Sequence, residues 1–313
     1  MPHEEEHSHW ITKMKLICKT LNNIETNLLT YGDPFNCNGK DVIICITGNP
    51  GLIDFYEEFG EEVHRNSGLP VCVVGHAGHD KVPDAQSILE GQEHIFNLKG
   101  QLKHKLDLLE NYIDGDSKLH FIGHSIGSWF TIELLVNNDH LYNRTLSVNL
   151  LFPTIQRMAQ SKNGLWLNKY VRSMHTFVLF LVTLIYLMPI TVTMLIINVY
   201  LKLKTLPTIY DKRILKFLDP KVIEKVLFLS YDEMDTVNSL NTRGMEKIKH
   251  LTYVIYTCND GWAPLSFMED LVKYEPDIKM QEVNADHAFV LKSSKSIALL
   301  VSNNIQTKSS KTE

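Results

Sequence analysis

Six short runs of apolar residues constrain the fold of this chain more than any other feature. Each run is continuous rather than alternating, and each is followed by a turn signal and then a longer helical pattern. The runs cover 42–47, 71–75, 119–123, 145–152, 251–258 and 279–283. A strand that is apolar at every position is covered on both faces, so these runs predict an α/β fold with a mainly parallel central sheet flanked by helices.

Five apolar residues between the second and third runs predict one face of a helix. Leu98, Leu102, Leu106, Leu109 and Ile113 are spaced by four, four, three and four positions. This is the spacing of an apolar stripe along a helix. A helix that joins two buried strands fits a doubly wound arrangement, in which strands and helices alternate along the chain.

Composition and charge exclude several classes of protein. The chain has 313 residues, of which 44% are hydrophobic and 21% charged, and these proportions exclude collagen, coiled coils and wholesale disorder. A net charge of -5 gives no electrostatic reason to expect nucleic acid as a partner, and we predict none.

The cysteines and the first ten residues indicate the compartment. Three of the five cysteines, Cys45, Cys72 and Cys258, fall inside runs that are predicted as buried strands, where a free cysteine acts as a small hydrophobic residue. The start of the chain, MPHEEEHSHW, has three consecutive glutamates and lacks the basic and apolar stretches of a secretory signal. We therefore expect the catalytic part to face the cytosol.

The most specific motif lies in residues 118–130, KLHFIGHSIGSWF. A strand predicted at 119–122 leads into Gly-His-Ser-Ile-Gly and then into a helix predicted over 128–136, which is the context of a nucleophile elbow. Glycines stand two positions before and after Ser125, because such a turn brings the backbones of strand and helix too close for side chains. Ser125 is therefore the predicted nucleophile.

A serine hydroxyl needs a base, and the base needs an acid that orients it. On this fold the acid and the histidine follow the serine in that order, each just beyond the end of a later strand. Asp260 follows the run at 251–258, and His287 follows the run at 279–283. We predict a catalytic triad of Ser125, Asp260 and His287.

Three other residues fit the triad less well. His250 precedes its strand and is expected at the opposite edge of the sheet. His124 adjoins the nucleophile, but its ring should point away from a tight elbow, which favours a packing or supporting role. Asp286 adjoins His287 and is interpreted as a turn or capping residue.

Acyl transfer also needs hydrogen-bond donors for the oxyanion. One predicted donor is the backbone N–H of Ile126, and the other is that of Asn49 in the loop Gly-Asn-Pro-Gly at 48–51. An ordinary turn is the alternative for this loop. His76 and His79 are interpreted as lining the pocket, since two histidines without a third ligand make a weak metal site. We predict no metal and no cofactor.

Several of these motifs together resemble a known family. The sequences ITGNPGLIDFYEEF, VVGHAGH, FIGHSIGSWF and CNDGWAP, with a charge-free insert between nucleophile and acid, resemble the lipid droplet-associated hydrolases of the α/β-hydrolase superfamily. The resemblance covers nearly the whole chain. It implies an α/β-hydrolase fold and a serine esterase of the lipid droplet and endoplasmic reticulum, with cholesteryl ester as substrate. It also implies the same triad, whereas Thr47 stands where related hydrolases have a histidine before the oxyanion loop.

The insert, residues 173–201, contains 29 residues without Asp, Glu, Lys or Arg. A buried pair of cap helices and a lipid-contacting segment are both open interpretations. Pro189 divides the insert into 176–188 and 190–201, each about a dozen residues and too short to span a bilayer alone. A single span is excluded if the triad is right, because it would separate Ser125 from Asp260 and His287.

Basic residues flank the insert on both sides. Residues 160–216 hold one acidic residue, Asp211, and eight basic ones, a local net charge of +7 in a chain of -5. The basic residues are Lys162, Lys169, Arg172, Lys202, Lys204, Lys212, Arg213 and Lys216. Such flanks favour cytosolic ends and attract anionic headgroups. We predict a helical hairpin that docks on a lipid droplet monolayer or an endoplasmic reticulum membrane, with an interfacial helix pair as the alternative form of the insert.

These observations predict the domain organisation and the function. Residues 1–155 and 231–313 are expected to form the two parts of the hydrolase core, with a helical cap at 156–230. The predicted function is serine hydrolysis of hydrophobic lipid esters. A lipid-droplet scaffold or lipid-storage regulator with weak or no activity, and a thioesterase or acyltransferase that uses the same serine, are the alternatives.

Overall fold

Five of the six runs form the centre of an eight-stranded sheet in the computed structural model, which describes residues 14–310, and the sixth, 279–283, forms an edge strand. The strand order is β1-β2-β4-β3-β5-β6-β7-β8. The strands are β1 (Lys15–Leu21), β2 (Ile24–Tyr31), β3 (Val42–Ile46), β4 (Val71–Val74), β5 (Leu119–His124), β6 (Thr145–Leu151), β7 (Thr252–Tyr256) and β8 (Lys279–Glu282). The neighbours from β4 to β8 pair in parallel, whereas β1 with β2 and β2 with β4 pair antiparallel. The α/β class and the mainly parallel sheet are confirmed.

Thirteen α-helices occur in the described part of the chain. Those of the first half are α1 (Glu57–Ser67), α2 (Glu93–Phe96), α3 (Leu98–Asn111), α4 (Ile126–Asn137) and α5 (Asp139–Arg144). Those between β6 and β7 are α6 (Lys162–Trp166), α7 (His175–Leu187), α8 (Ile190–Lys204), α9 (Asp211–Phe217), α10 (Pro220–Thr236) and α11 (Thr242–Ile248). The last two are α12 (Leu265–Val272) and α13 (Ser294–Ser309). The helices predicted after the second and third runs therefore correspond to α3 and α4.

The central strands are apolar throughout because both faces of the sheet are covered. In β3, Val42, Ile44 and Ile46 belong to one hydrophobic cluster. Ile43 and Cys45 belong to a second cluster. Successive side chains of a strand point to opposite faces, so the two clusters are the two layers between sheet and helices. Helices therefore pack on both faces of the sheet. The carboxyl ends of its parallel strands form a rigid platform for a site.

The first two strands and one cysteine differ from the sequence-based expectations. No strand was predicted over β1 and β2; β1 is an edge strand whose residues are mostly exposed or half-buried and whose short apolar run is bounded by lysines. Cys45 and Cys72 are buried, but Cys258 lies beyond the end of β7 and is exposed. The interpretation of Cys258 as a buried strand residue is therefore wrong. The acidic N-terminal segment lies outside the described residues.

The insert forms two helices that are exposed to an unusual degree. Helix α7 buries no residue, and α8 buries Thr193, Ile197 and Leu201. Of the 25 large hydrophobic residues that are exposed in the described chain, 19 lie between Leu165 and Ile209. These figures contradict the interpretation of a buried pair of cap helices.

Two charged residues after the insert fasten it to the core. Arg213 of α9 is buried and forms ion pairs with Glu57 at 2.6 Å and Glu58 at 2.8 Å. Lys216, one turn further on, contacts the carboxylates of Asp54 at 3.0 Å and Asp80 at 2.8 Å. Both residues were expected to attract headgroups, and that expectation is wrong for them.

A third basic residue is also engaged within the protein. Arg172, just before the insert, forms a bidentate ion pair with Asp235 of α10. The remaining flanking lysines are exposed, and they are Lys162, Lys169, Lys202, Lys204 and Lys212. The positive surface around the insert is therefore smaller than its composition indicates.

No single helix in residues 14–310 has the length and apolar composition of a membrane span. One bent pair, Lys162–Val171 with His175–Leu187, reaches that composition together, at an angle of 86°.

Candidate active site

Ser125 occupies a strained turn between β5 and α4. Its φ is 53° and its ψ is -122°, a conformation that L residues rarely adopt and that over-determined functional sites retain. A Cβ atom on Gly123 would lie 2.6 Å from the carbonyl oxygen of Gly127, and one on Gly127 would lie 2.2 Å from that of Ile46. Only glycine fits at either position, which explains why the motif has both.

The structure brings Ser125, His287 and Asp260 together in one hydrogen-bonded chain. His287 Nε2 lies 2.9 Å from Ser125 Oγ, and His287 Nδ1 lies 2.7 Å from Asp260 Oδ2. Each residue follows the carboxyl end of a different parallel strand, β5, β7 or β8. Because β5, β6, β7 and β8 are consecutive in the sheet, residues distant in sequence meet at one edge.

The second oxygen of Asp260 fixes the orientation of the carboxylate. Oδ1 accepts hydrogen bonds from the backbone N–H groups of Trp262 at 2.7 Å and Ala263 at 3.0 Å. Burial opposes ionisation, but the hydrogen bond and charge of His287 and these two donors outweigh it and lower the pKa of Asp260. Asp260 is therefore an anion that can hold a proton on His287 Nδ1. That leaves Nε2 free to accept the proton of Ser125.

The two predicted oxyanion donors lie beside this chain. Loop 48–51 lines the same cavity as His287, and Ile126 is the first residue of α4. Neither Asn49 nor Ile126 donates its backbone N–H to an acceptor within residues 14–310. Both N–H groups can therefore donate to a ligand, and the N-terminus of α4 at Ile126 favours negative charge.

A second chain of hydrogen bonds links the oxyanion loop to the histidine. The N–H of Gly48 donates to the hydroxyl oxygen of Tyr56 at 2.8 Å, and that hydroxyl lies 2.6 Å from His124 Nδ1. His124 Nε2 lies 2.9 Å from the carbonyl oxygen of His287. Since a carbonyl oxygen only accepts, Nε2 carries the proton, and Nδ1 accepts from Tyr56.

His124 is neutral in this arrangement. Burial, with the nearby His287 ring, lowers the pKa of His124 to about 3. The supporting role expected for His124 fits these contacts, whereas no role for Tyr56 was predicted. Tyr56 lies within the motif ITGNPGLIDFYEEF, but it is 68 residues before His124, and only the fold brings the two side chains together.

His76 and His79 do not line the active-site cavity, so the expectation of pocket lining is wrong. Both are buried under loop 48–51, where His79 Nδ1 lies 2.6 Å from the carbonyl oxygen of Pro50. The amine of Lys105, also buried, lies 3.1 Å from His76 Nδ1. Burial lowers the pKa of Lys105 and of both histidines. This buried cluster supports the loop from below.

The side chain of Asn49 connects the same loop to helix α10 by hydrogen bonds. Its Nδ2 donates to Glu233 Oε1 and to Ser230 Oγ of α10, both at 2.8 Å. Glu233 is buried, and desolvation raises its pKa to about 8. The backbone N–H of Asn49 is thus placed by contacts with the helix that follows the insert.

The cavity next to His287 has a volume of about 340 Å³. Its walls include loop 48–51, and the remaining wall residues are Leu52, Phe55, Tyr56, His124, Trp262, His287, Ala288, Val290 and Leu291. Most of these side chains are apolar or aromatic, as in sites that bind hydrophobic ligands. Within the described residues no group of three or more His, Cys, Asp or Glu side chains is arranged to hold a metal ion.

Comparison with solved structures shows the fold class of this site. An alpha/beta hydrolase enzyme from a Medee basin deep-sea metagenome library superposes with a TM-score of 0.67 at 15% identity, over 93% of this chain and 97% of that one. A bacterial membrane phospholipase A superposes with a TM-score of 0.66 at 13% identity, over 96% of this chain and 88% of that one. At such identities the likeness concerns the fold alone, which is that of the α/β hydrolases.

Comparison of sequences identifies the family. A lipid droplet-associated hydrolase of Drosophila melanogaster is 37% identical over 91% of this chain and 96% of its own length. The human protein of that name is 32% identical over 87% of this chain and 86% of its own length. The family model described as lipid-droplet associated hydrolase matches residues 39–290. The resemblance of the motifs is confirmed, and the chain belongs to the lipid droplet-associated hydrolase family.

Proposed function

We propose that this protein is a serine carboxylic ester hydrolase that acts on hydrophobic lipid esters through Ser125, His287 and Asp260. The observation that carries the proposal is the hydrogen-bonded chain from Asp260 through His287 to Ser125 Oγ, with distances of 2.7 and 2.9 Å. This chain opens into a mostly apolar cavity beside the exposed insert.

The geometry supports a two-step mechanism. Ser125 Oγ attacks the ester carbonyl carbon while His287 Nε2 takes the hydroxyl proton, and Asp260 stabilises the imidazolium. The N–H groups of Asn49 and Ile126 stabilise the oxyanion. The intermediate then expels the alcohol, which receives the proton from His287, and an acyl-enzyme remains. Water, deprotonated by His287, hydrolyses that ester, releasing the fatty acid and restoring the Ser125 hydroxyl.

The family and the surface together favour a lipid ester as substrate. Relatives across most of the chain are called lipid droplet-associated hydrolases, and we extend that localisation to this protein. We propose sterol esters, cholesteryl ester first, as the substrate class. Such a substrate resides in a lipid phase and has no charged group, which fits the walls of the cavity.

We propose that residues 173–201 dock the enzyme on its lipid phase. Exposed apolar patches beyond a few hundred Å² mark interaction surfaces in soluble proteins, and most of the exposed apolar residues lie in or beside this insert. The exposed lysines next to it, including Lys202 and Lys204, add attraction to anionic headgroups. Docking on lipid droplets and on the endoplasmic reticulum would leave the active site on the cytosolic side.

The test is product analysis with the purified full chain. Wild type and Ser125→Ala are incubated with emulsions of cholesteryl oleate and trioleoylglycerol, and released fatty acid is measured by mass spectrometry. Wild type should release fatty acid, with cholesteryl oleate preferred, and Ser125→Ala should not. Tyr253→Phe, which removes a hydroxyl from the opposite part of the sheet, is the matched control and should resemble wild type.

Two outcomes would contradict the proposal. If wild type releases no fatty acid from any ester and no fluorophosphonate labels Ser125, the protein is a lipid-droplet scaffold or storage regulator. If Ser125 is labelled but only thioesters are cleaved, or acyl groups pass to an added alcohol rather than to water, the thioesterase or acyltransferase alternative holds.

A further inference from the structure

A second cavity adjoins the one beside His287. It has a volume of about 440 Å³ and lies between the insert and the core. Pro50, Phe55 and Leu291 line both cavities, so these three residues form the partition between them. The other wall residues are Ile185, Ile196, Ile197, Tyr200, Leu206, Tyr210, Ile214, Phe217 and Leu218.

The chemistry of this cavity excludes a polar ligand. No charged side chain lines it, and its two hydroxyl groups belong to Tyr200 and Tyr210. Tyr210 already donates to the carbonyl oxygens of Val290 at 3.0 Å and Leu291 at 3.3 Å. An ion or a headgroup would find no partner inside, whereas a hydrocarbon chain would lose only contact with water.

Helix α8 gives this cavity both a wall and an entrance. Ile197 is 2% exposed and faces the interior, whereas Ile196 and Tyr200 are 44% and 47% exposed. All three line the cavity. Ile196 and Tyr200 therefore belong at once to the cavity wall and to the exposed apolar face of the insert, and the cavity opens on that face.

We propose that this second cavity binds the long acyl chain of the ester and that the chain enters it from the lipid phase between Ile196 and Tyr200. The inference rests on the proposed function, because it places the ester carbonyl at Ser125 and the chain beyond Phe55 and Leu291. The path from the docked surface to Phe55 and Leu291 is then lined by apolar side chains and two tyrosines. A chain that follows it is transferred from lipid to protein without crossing water.

The hydrogen bonds from Tyr210 to residues 290–291 connect the proposed acyl-chain cavity to the segment that bears His287. Tyr210 follows α8 and stacks on Phe55 with ring centroids 5.9 Å apart, and its hydroxyl holds the carbonyls just after His287. The wall of the cavity and the segment that bears the histidine are therefore one packed unit. Selection among substrates by acyl length follows from the size of this unit.

The experiment measures acyl-chain preference with monomeric esters. The full chain is assayed with p-nitrophenyl butyrate, octanoate and laurate below their aggregation concentrations. Wild type should favour laurate over butyrate in kcat/KM by about tenfold or more, because each buried methylene adds to transition-state binding. Ile214→Trp and Leu218→Trp, which fill the wall, should lower the laurate-to-butyrate ratio about tenfold.

Two further variants keep the test decisive. Leu299→Trp places the same side chain on the exposed face of α13, and its ratio should stay within about twofold of wild type. Ile214→Ala enlarges the cavity. It should raise kcat/KM for p-nitrophenyl myristate relative to laurate, so the test does not depend on fitting a tryptophan.

The failure of this inference is distinguishable from failure of the proposed function. If all variants share the wild-type ratio while fluorophosphonate labels Ser125 and butyrate is hydrolysed, the acyl site is wrong and the hydrolase stands. If no variant hydrolyses any ester and Ser125 is not labelled, both proposals are overturned.

Discussion

The core and the insert use similar apolar side chains in opposite ways. In the core, neighbouring residues of β3 such as Ile43 and Ile44 are both buried, because helices cover both faces of the sheet. In the insert, Leu187 and Leu195 are 73% and 64% exposed, and Leu203, two residues after its end in α8, is 78% exposed. Apolar composition alone therefore does not say where a residue lies, because similar side chains are buried in the core and exposed in the insert.

The boundary between the exposed insert and the core lies between helices α8 and α9. Helix α7 and most of α8 face outward, whereas the buried Arg213 in α9 and Glu233 in α10 contact the core. These contacts reach Glu58 and the oxyanion-loop residue Asn49. Helices α9 and α10 are thus attached beside the site, and the exposed helices α7 and α8 precede them in the chain.

The largest expected effect concerns the core alone. Asp260→Asn should lower kcat about 10³–10⁴-fold, because the N–H groups of Trp262 and Ala263 pin the amide oxygen and turn the amide NH₂ toward His287. The imidazole then adopts the wrong tautomer, with its proton on Nε2. Steady-state hydrolysis of p-nitrophenyl butyrate measures the loss.

Asp286→Asn is the matched control, since it changes the adjacent carboxylate in the same way. Its kcat should stay within about threefold of wild type. A large loss in Asp286→Asn, with Asp260→Asn near wild type, would mean that the acid has been assigned to the wrong residue.

The second prediction concerns a variant that changes the exposed surface of α7 and α8 and leaves the core unchanged. The triple variant Leu187→Glu, Leu195→Glu and Leu203→Glu should weaken binding to phosphatidylcholine-coated triolein droplets about 100-fold, because charged groups resist entry into the lipid interface. Hydrolysis of p-nitrophenyl butyrate should stay within about twofold. Droplet flotation and soluble-ester kinetics measure the two effects.

Leu299→Glu, at a 50% exposed leucine of α13, controls for the added charge. It should bind droplets as wild type does. Equal droplet binding by the triple variant and wild type would show that the insert is not the docking surface.

The third prediction tests the link between the oxyanion loop and the histidine. Tyr56→Phe leaves the N–H of Gly48 and His124 Nδ1 without partners, which costs about 1–3 kcal/mol of stability. We expect kcat to fall about tenfold with little change in KM, because the loop and His287 lose their common support.

Tyr253→Phe removes a tyrosine hydroxyl that contacts Gln281 and no residue of the triad. This control should lower stability without lowering kcat. If both variants lose the same stability and neither loses kcat, Tyr56 is a structural residue only.

The smallest expected effect is a pH dependence of stability that arises where Glu233 of α10 contacts the oxyanion loop. Burial raises the pKa of Glu233 from its ordinary value of 4.5 to about 8. The folded state therefore keeps a proton that the unfolded chain releases, and the stability contributed by the neutral carboxyl is lost as pH rises from about 4.5 through about 8. Glu233→Gln does not titrate and keeps the contact with Asn49.

The melting temperature of Glu233→Gln relative to wild type should therefore rise by a few degrees between about pH 5 and pH 8 and level off above it. Differential scanning calorimetry across this range measures the difference. Glu269→Gln, an exposed carboxylate, should show no such trend. A constant difference between Glu233→Gln and wild type would mean that Glu233 is ionised in the folded protein.

The central strands and the turns that follow them could be predicted from short sequence patterns. The central strands were predictable because burial on both faces makes them continuously apolar. The positions of Ser125, Asp260 and His287 were predictable because each follows a recognisable strand. The strand β1 was missed since it lies at the edge, where one face meets water.

Features that depend on contacts between distant residues could not be predicted in this way. Tyr56 and His124 meet only because β3 and β5 are neighbours in the sheet. Arg213 and Lys216 read as part of a basic flank, but their carboxylate partners come from residues more than a hundred positions earlier. Net charge in a segment says nothing about partners that the fold supplies.

The central claim is that Ser125 forms an acyl-enzyme with hydrophobic esters, and trapping this intermediate tests it most directly. The full chain is mixed with p-nitrophenyl laurate, quenched in acid and analysed by intact-mass and peptide mass spectrometry. We predict one lauroyl group per chain on the peptide that contains Ser125, absent in Ser125→Ala. Release of p-nitrophenol by wild type with no acyl group on Ser125, or with the group on another residue, would contradict the account.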